Sequence, residues 1–251
     1  MRFFLIIVII FSFISAQRNI EIENQSLFLQ AMRMERSGDI LGAQRIYTDI
    51  LKNEPTHQPS FFQLRNIYGK DNDLESGIQL IEDWLKSNPR DYQSMLSLGE
   101  FYFKNQKKTK AIEIWDDFRK NNLLNESMYR LLFHTYIKFG QSNSMEVLAK
   151  RGREQFNQPY FLAIELANYY QSRQAFEKSL EQLMLLIRYQ KQYLRYATDR
   201  ILIMSDDSSS HSIIDSSLNA NLEIDPHLKE VLGSFYYKIG NFTKAYDEFK
   251  S

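Results

Sequence analysis

Residues 92–119 read YQSMLSLGEFYFKNQKKTKAIEIWDDFR and decide how the rest of the chain is interpreted. Two apolar stretches flank a short polar segment at 105–108. Apolar or small side chains recur at intervals of three or four within each stretch, namely Met95, Leu98 and Tyr102 in the first and Ala111, Trp115 and Phe118 in the second. This spacing places each set on one face of an α-helix. The segment therefore predicts two antiparallel helices joined by a tight turn.

The same pattern returns along the chain with a fixed period of 34 residues. A helix of about 12–14 residues is marginal in water by itself, so the predicted hairpins have to stack on one another. Small residues then allow close approach, and aromatic side chains fill the space between hairpins. The residues that recur with this period are Tyr68, Tyr102, Tyr136 and Tyr170; Lys70, Lys104 and Lys138; Ala43, Gly77 and Ala111; and Pro55 and Pro89.

Several residue types hold fixed places within the period when the first repeat is counted from Asn24. Matches include Leu98, Gly99, Tyr102, Ala111 and Trp115 in the third repeat, and Gly233, Tyr236, Gly240, Ala245 and Phe249 near the end. In these positions the chain resembles the tetratricopeptide repeat family. The resemblance implies an all-α fold, a right-handed α-solenoid of about seven helix-turn-helix repeats with a degenerate sixth and an incomplete seventh.

Some positions depart from the family's pattern. Arg65 and Phe133 stand where the motif has a small residue, and Met145 replaces an alanine, so these helix pairs are expected to be splayed or repacked. The interval from Tyr170 to Tyr236 is 66 residues, two periods less two. A degenerate sixth repeat is expected there, with a polar, flexible turn at 206–212. Its apolar residues are Ile201 and Leu202 in the first helix and Ile214, Leu218 and Leu222 in the second.

The first residues have the pattern of a secretory signal. Arg2 precedes an apolar run at 3–14, and Ala16 offers a small residue for cleavage before Gln17. The run is shorter than the about 20 residues that a membrane span needs, which disfavours an uncleaved anchor. We expect a signal peptide at 1–16, a short lead-in at 17–23 and the repeat array at 24–251. The mature protein is expected in the periplasm or at the cell surface of a bacterium, without a membrane span.

Composition excludes several classes of function. The chain has 31 basic and 31 acidic residues and no cysteine. This balance is atypical of proteins that bind nucleic acid, since those normally carry a basic excess. Without cysteine there are no disulfides, no thiolate metal ligands and no cysteine nucleophile.

No pattern for catalysis, a cofactor or a metal is present. The sequence lacks a phosphate-binding glycine loop, a nucleophile elbow and a zinc helix. Ser210 and His211 lie near two aspartates, but a single polar turn does not hold a catalytic triad. The chain is therefore predicted not to be an enzyme. Its four histidines are His57, His134, His211 and His227, and its three glycosylation sequons begin at Asn24, Asn125 and Asn241.

The resemblance implies a binding groove lined by the first helix of each repeat. A row of cations, Arg36, Lys70, Lys104 and Lys138, suits an acidic ligand, although a solvated edge is the simpler interpretation. The carboxylate clamp of chaperone-binding relatives is absent, because Phe62 and Ile164 replace its lysines. The positions carried over are Phe62, Asn66, Lys70, Glu100, Phe103, Lys104, Arg130, His134, Lys138, Ile164 and Asn168.

The predicted function is a noncatalytic, exported scaffold that binds a protein or peptide in this groove. Three alternatives stay open. The first is an accessory role in envelope assembly or polysaccharide export. The second is structural self-assembly through the uncapped C-terminal end. The third is that the chain is the N-terminal part of a larger protein, because Ser251 falls within the expected last helix.

Overall fold

A computed structural model describes residues 22–122 and 125–250. Within these residues the chain forms fourteen α-helices and no strand. They follow one another as seven pairs, which confirms the prediction of an all-α chain of helix-turn-helix repeats. The chain divides into two compact units, Met1–Leu124 (unit 1) and Asn125–Ser251 (unit 2). The expected signal peptide at 1–16 lies outside the described residues, as does most of the lead-in at 17–23.

Unit 1 contains the first three helix pairs. The first helices of the second and third pairs each pack against their own second helix and against the second helix of the preceding pair. The helices are α1 (22–37), α2 (Ile40–Asn53), α3 (Gln58–Lys70), α4 (Leu74–Ser87), α5 (Tyr92–Lys104) and α6 (Lys108–Asn121).

Unit 2 contains the other four pairs. Two short 3-10 helices, Lys191–Tyr193 and Ser208–Ser210, precede the two helices of the sixth pair. The helices are α7 (Glu126–Lys138), α8 (Ser142–Phe156), α9 (Ala163–Gln171), α10 (Phe176–Tyr189), α11 (Leu194–Met204), α12 (His211–Asn221), α13 (Leu228–Lys238) and α14 (Phe242–Lys250).

Side-chain caps fix the start of several helices. Asp39, Asp73, Asp91 and Asn125 each accept a hydrogen bond from the backbone N–H three residues later. Such a bond satisfies one of the amides that a helix start leaves unpaired. These residues stand just before α2, α4, α5 and α7, so local sequence chemistry sets where those helices begin.

The turn inside each of the first five pairs uses one left-handed residue at a fixed spacing. Gly38, Asn72, Gln106, Gly140 and Gln174 follow one another at 34-residue intervals, and all have a positive φ between 57° and 90°. Glycine adopts this conformation without a steric penalty, whereas other residues do so at a cost. The last pair repeats the device at Gly240, with φ 79°. The turn of the sixth pair has no left-handed residue and contains the 3-10 helix Ser208–Ser210 instead. The sixth repeat thus departs from the others in its turn.

Close packing of a pair depends on its small residues, as predicted. A Cβ atom on Gly99 would lie 2.2 Å from Nε1 of Trp115, so only glycine permits this contact. Trp115 is 1% exposed and donates its indole N–H to the carbonyl of Leu96 at 3.2 Å. Helices α5 and α6 therefore approach through a glycine that faces a buried indole.

The large residues expected to disturb the fourth repeat are accommodated inside it. Phe133 and Met145 are both 0% exposed. The two side chains are therefore part of the packed interior of unit 2. Of the apolar residues predicted for the sixth repeat, Ile201, Ile214 and Leu218 are 0% exposed. Leu202 is half-buried, and Leu222 lies just after the end of α12 instead of within it.

Two boundaries differ from the expectations. Steps of 34 residues from Asn24 place the start of the fifth repeat at Tyr160, but α9 begins at Ala163, directly after Leu162, which adopts a left-handed conformation with φ 60°. The sixth turn was expected at 206–212, but His211 already belongs to α12. This turn is tied by hydrogen bonds, since the buried Ser210 hydroxyl donates to the carbonyl of Met204 at 2.9 Å.

Candidate partner-binding surface

The eleven positions carried over from the motif all lie on first helices, namely α3, α5, α7 and α9. None of them is buried. We call the accessible side of these first helices the first-helix surface of each unit. The half-buried members are Phe62, Glu100, Phe103, Arg130 and Ile164, and the exposed members are Asn66, Lys70, Lys104, His134, Lys138 and Asn168.

Arg65 organises the first-helix surface of unit 1. Its guanidinium carbon lies 4.9 Å from the ring centroid of Phe62. Burial lowers the pKa of Arg65, and the negative charges of Asp91 and Glu100 oppose that effect. From the sequence, Arg65 was predicted only to disturb the packing of its helix pair. In the structure Arg65 is a half-buried cation near the Phe62 ring of its own helix, and the negative charge of Glu100 on α5 acts on it.

Phe103 and the lysines complete this surface. The Phe103 ring stacks at 5.9 Å from that of Trp115, and Lys108 Nζ lies 5.5 Å from the Phe103 centroid. Lys70 and Lys104 are exposed and stand in the last turns of α3 and α5. Cations in that place are stabilised by the helix dipole, so a local role accounts for part of the lysine spacing. Aromatic edges and basic side chains therefore coexist on unit 1.

On unit 2, two of the predicted positions connect neighbouring first helices. Arg130 of α7 forms an ion pair with Glu165 of α9 and lies 5.2 Å from the ring centroid of Phe161. Tyr196 of α11 donates its hydroxyl to Oδ1 of Asn168 at 3.1 Å. These contacts align α7, α9 and α11. Arg130 and Asn168 thus have a structural role that the sequence did not reveal.

The other three unit 2 positions differ in exposure. His134 is exposed at the edge of the Phe133 ring, 6.3 Å between centroids. Lys138 is exposed and its Nζ lies 5.5 Å from the Phe139 centroid. Ile164 is half-buried and packs against the core around α10 and α11. The first-helix surface of unit 2 is accordingly more polar than that of unit 1.

The turn at Ser210 and His211 does not form a catalytic dyad. The Ser210 hydroxyl donates to the backbone carbonyls of Met204 and Asp207, and His211 Nε2 lies 2.9 Å from the carbonyl oxygen of Ser205. Both side chains therefore bond to backbone instead of to each other. Within the described ranges no cluster of three histidine, aspartate or glutamate residues has the geometry of a metal site.

The three sequon asparagines all make structural contacts. Asn24 is 2% exposed and donates to Glu54 Oε2 at 2.9 Å. Asn125 caps α7 through Oδ1, and Asn241 Oδ1 accepts from the amide of Lys244 at 3.3 Å. A glycan on Asn24 would break its buried hydrogen bond, whereas Asn125 is exposed.

The paired helices, the 34-residue period and the contact of Gly99 with Trp115 between α5 and α6 are features of one kind of repeat. The fold is that of tetratricopeptide-like repeats. Three such repeats make up the described part of unit 1, and four make up that of unit 2. None of the described helices has the length and the hydropathy that crossing a membrane would require.

No protein-family model matches the chain, and no curated protein is similar to it in sequence. Several solved structures are similar in fold. PilW, a widely conserved type IV pilus biogenesis factor, is 14% identical, with 90% of each chain covered and a TM-score of 0.42. A tetratricopeptide repeat protein from Parabacteroides merdae is 12% identical, with 90% of this chain and 91% of that chain covered and a TM-score of 0.46.

PilF of Pseudomonas aeruginosa is a further similar structure. It is 10% identical, with 83% of this chain and 94% of that chain covered and a TM-score of 0.45. At these identities and TM-scores, the functions of those proteins do not transfer to this tetratricopeptide-like chain. What its repeats bind has to be argued from its own surfaces.

Proposed function

We propose that this chain is a noncatalytic binding scaffold that holds a protein or peptide partner on its first-helix surfaces. One observation carries the proposal. All eleven positions that the motif assigns to the ligand side are accessible, whereas the stripe that faces the second helices, such as Leu64, Ile67 and Leu96, is buried. Stacked hairpins need only the buried stripe for stability, so aromatic side chains on the other side are available for contact.

The chemistry of unit 1 indicates which partner fits. Phe62 and Phe103 offer half-buried rings, and Lys70 and Lys104 offer exposed cations. Aromatic and cationic side chains are the residue types that anchor protein interfaces and orient acidic partners. An acidic segment with apolar side chains, including a chain ending in a carboxylate, is the partner that this surface favours.

The proposal includes export, which rests on the sequence at 1–17. An apolar run after Arg2 and a small residue at Ala16 support cleavage by signal peptidase. Intact mass spectrometry of the protein recovered from its host tests this part. A mature N-terminus at Gln17 is expected, and an intact Met1 would contradict export by cleavage.

A photo-crosslinking experiment tests where the partner binds. A benzophenone side chain placed at Asn66, on α3, is expected to give a discrete covalent adduct in cells, and mass spectrometry identifies the partner. The matched control is the same group at Lys120, which is exposed on the second helix α6. Equal adducts at both sites, or adducts from Lys120 alone, would show that the first-helix surface is not the contact.

Charge reversal of exposed lysines is a second test of the same surface. Lys104→Glu combined with Lys138→Glu is expected to weaken capture of that partner at least tenfold, because each change puts an anion in place of an exposed cation on the first-helix surface of its own unit. The control pair is Lys120→Glu with Lys191→Glu, both exposed and both away from the first helices α5 and α7. If the first pair leaves every partner bound, the first-helix surface is not a binding surface.

Self-association is a second candidate, supported by the last described pair. Tyr237, Phe242, Tyr246 and Phe249 of α13 and α14 are between 56% and 65% exposed. Clusters of exposed large apolar side chains are typical of contact surfaces. A second copy is the proposed occupant, and sedimentation of the protein against Phe242→Ser with Tyr246→Ser tests it. A monomeric mass at every concentration would contradict this candidate.

A further inference from the structure

Unit 2 has an open cleft of about 680 Å³ on its second helices, away from the first-helix surface. It lies between α10 and α12, with a residue of α8 at one end. Leu180 and Met184 of α10 are 1% and 8% exposed and form an apolar floor. The facing side of α12 carries Asn221 and three small residues, Ser216, Ser217 and Ala220, and the small residues leave the space open. Its volume is within the range of ligand sites in proteins.

Two arginines border this cleft, and both bond to neutral acceptors. Arg153 of α8 donates through Nε to the carbonyl of Phe161 at 3.1 Å and through Nη2 to Gln182 Oε1 at 2.6 Å. Arg188 of α10 donates to Asn221 Oδ1 at 3.2 Å. In the part of the chain that the structure describes, neither guanidinium lies within 4.0 Å of a carboxylate.

The environment of Arg153 favours an anion. Burial lowers the pKa of Arg153 because its charge has lost water, and the electrostatic interaction with Tyr170 only partly opposes that effect. A desolvated guanidinium gains most from a carboxylate, which accepts two parallel N–H hydrogen bonds. A ligand carboxylate at this end of the cleft would therefore replace solvation that the fold has removed.

The other charges nearby do not neutralise the two arginines. A smaller cleft of about 270 Å³ continues past Arg153 and contains Lys178, which pairs with Glu146 at 2.8 Å. Glu181 lines both clefts, so the charged side chains that line the cleft between α10 and α12 are two arginines and one glutamate. The cleft between α10 and α12 thus combines an apolar floor with a positive balance.

We infer that this cleft, which we call the second-helix cleft, binds an acidic peptide segment of a partner protein. An apolar side chain of the peptide rests on Leu180 and Met184, and two carboxylates reach Arg153 and Arg188. Gln182, which holds Arg153, and Arg188 are six positions apart on α10, or about 9 Å of helix rise. A peptide in the polyproline II conformation rises about 3.1 Å per residue and has three residues per turn. Two acidic residues three positions apart therefore lie on the same side of the peptide, about 9 Å from each other, and span the cleft.

The probe follows from this geometry. A fluorescein-labelled peptide of about ten residues with a central Glu-Leu-Leu-Glu sequence is titrated with the full-length protein, and anisotropy reports binding. The matched peptide carries glutamine in place of both glutamates. The acidic peptide is expected to bind at least tenfold more tightly than its glutamine counterpart, because each lost charge-assisted pair costs about a factor of ten or more.

Protein variants locate the site. Arg188→Glu is expected to weaken binding of the acidic peptide at least tenfold, whereas Arg195→Glu, exposed on α11 outside the cleft, leaves it unchanged. Ala220→Trp fills the space between α10 and α12 and is expected to abolish binding. Its control is Ser212→Trp, exposed on α12 but not part of the cleft. Urea unfolding of each variant confirms that the fold is retained.

Several outcomes overturn the inference. No binding of the acidic peptide up to about millimolar concentration, or equal binding by Arg188→Glu and Arg195→Glu, would do so. Stronger binding to phosphatidylglycerol vesicles than to the peptide, lost in Arg188→Glu, would assign the cleft to lipid headgroups. Loss of the peptide in Lys104→Glu with Lys138→Glu but not in Arg188→Glu would place it on the first helices, and the proposed function would then stand without the second-helix cleft.

Discussion

Tyr102 donates its phenolic hydrogen to Oε1 of Glu82 at 2.6 Å and so links α5 to the second helix of the preceding repeat. Lys110, eight residues after Tyr102, places its Nζ 4.3 Å from the centre of the same ring. Unit 2 repeats this arrangement of acid, tyrosine and lysine with Glu146, Tyr170 and Lys178, and with Asp215, Tyr236 and Lys244. The tyrosine that marks the 34-residue period is thus also a polar connection between repeats.

This connection predicts a loss of stability at alkaline pH. Burial raises the pKa of Tyr102 above its usual 10.0, and the hydrogen bond to Glu82 raises it further. The folded state then holds this proton more tightly than the unfolded state. Stability from Tyr102 is therefore complete below about pH 10 and is lost as the pH rises through the folded pKa.

Tyr102→Phe is expected to lower the free energy of unfolding by about 1 kcal/mol at neutral pH. It should also reduce the alkaline loss, although Tyr170 and Tyr236 still contribute, because their pKa values are raised as well. Urea midpoints measured from neutral to alkaline pH provide the test. The control is Tyr189→Phe, whose side chain is 48% exposed, and indistinguishable alkaline profiles for the two variants would refute the prediction.

Two helical glycines give a matched pair of substitutions. Gly99→Ala places a methyl group 2.2 Å from the Trp115 indole nitrogen and is expected to destabilise unit 1 by about 1–3 kcal/mol. A Cβ atom on Gly69 would lie 3.5 Å from the Phe101 ring, which is an ordinary van der Waals contact. Alanine gains up to about 1 kcal/mol of helix propensity there. Opposite signs in urea unfolding are expected, and equal losses would show that the Gly99 contact is not the cause.

The left-handed turn residues allow stability to be gained. Gln106 has φ 61°, where Gly140 has φ 66° in the next repeat. Gln106→Gly is expected to raise the free energy of unfolding by about 0.5–1 kcal/mol, because it removes the steric cost of that conformation. Glu113→Gly, in the exposed middle of α6, should instead lower it by about 1 kcal/mol. Thermal unfolding of the two variants checks the signs, and destabilisation by both would contradict the strain at Gln106.

Trp115 tests the packing register and the coupling between repeats. Trp115→Ala is expected to cost about 3–5 kcal/mol, as for other large buried aromatics. The variant retains Trp84 as the single tryptophan of the chain, and Trp84 stacks on Phe61 at 4.2 Å. Its fluorescence therefore follows the neighbouring repeat, and its transition should shift down too, because stacked repeats stabilise one another.

Lys120→Ala, on the exposed side of α6, is the neutral control for this measurement. A cost below about 1 kcal/mol for Trp115→Ala would mean that the indole is not in the core. An unchanged Trp84 transition would mean that the second and third repeats unfold independently.

Part of the candidate surface was predictable. The period assigned Phe62 and Lys104 to first helices, and both are accessible there. It did not predict that Arg130 pairs with Glu165, because that contact joins two helices through tertiary packing. The contact of Arg65 with the Phe62 ring is local, since the two residues are three positions apart on α3. The second-helix cleft was also missed, since its residues come from three helices that the linear pattern treats as ordinary second helices.

The sequence by itself determined the helices, their pairing and most of their boundaries. Helical spacing, capping residues and the left-handed turn positions are local properties, and they act within a few residues of the chain. The tertiary structure decided the rest: the late start of α9 after Leu162, the 3-10 turn before His211, and the charge environment of Arg153. These features depend on which helices meet, because burial and electrostatic fields are set by neighbours that lie distant along the chain.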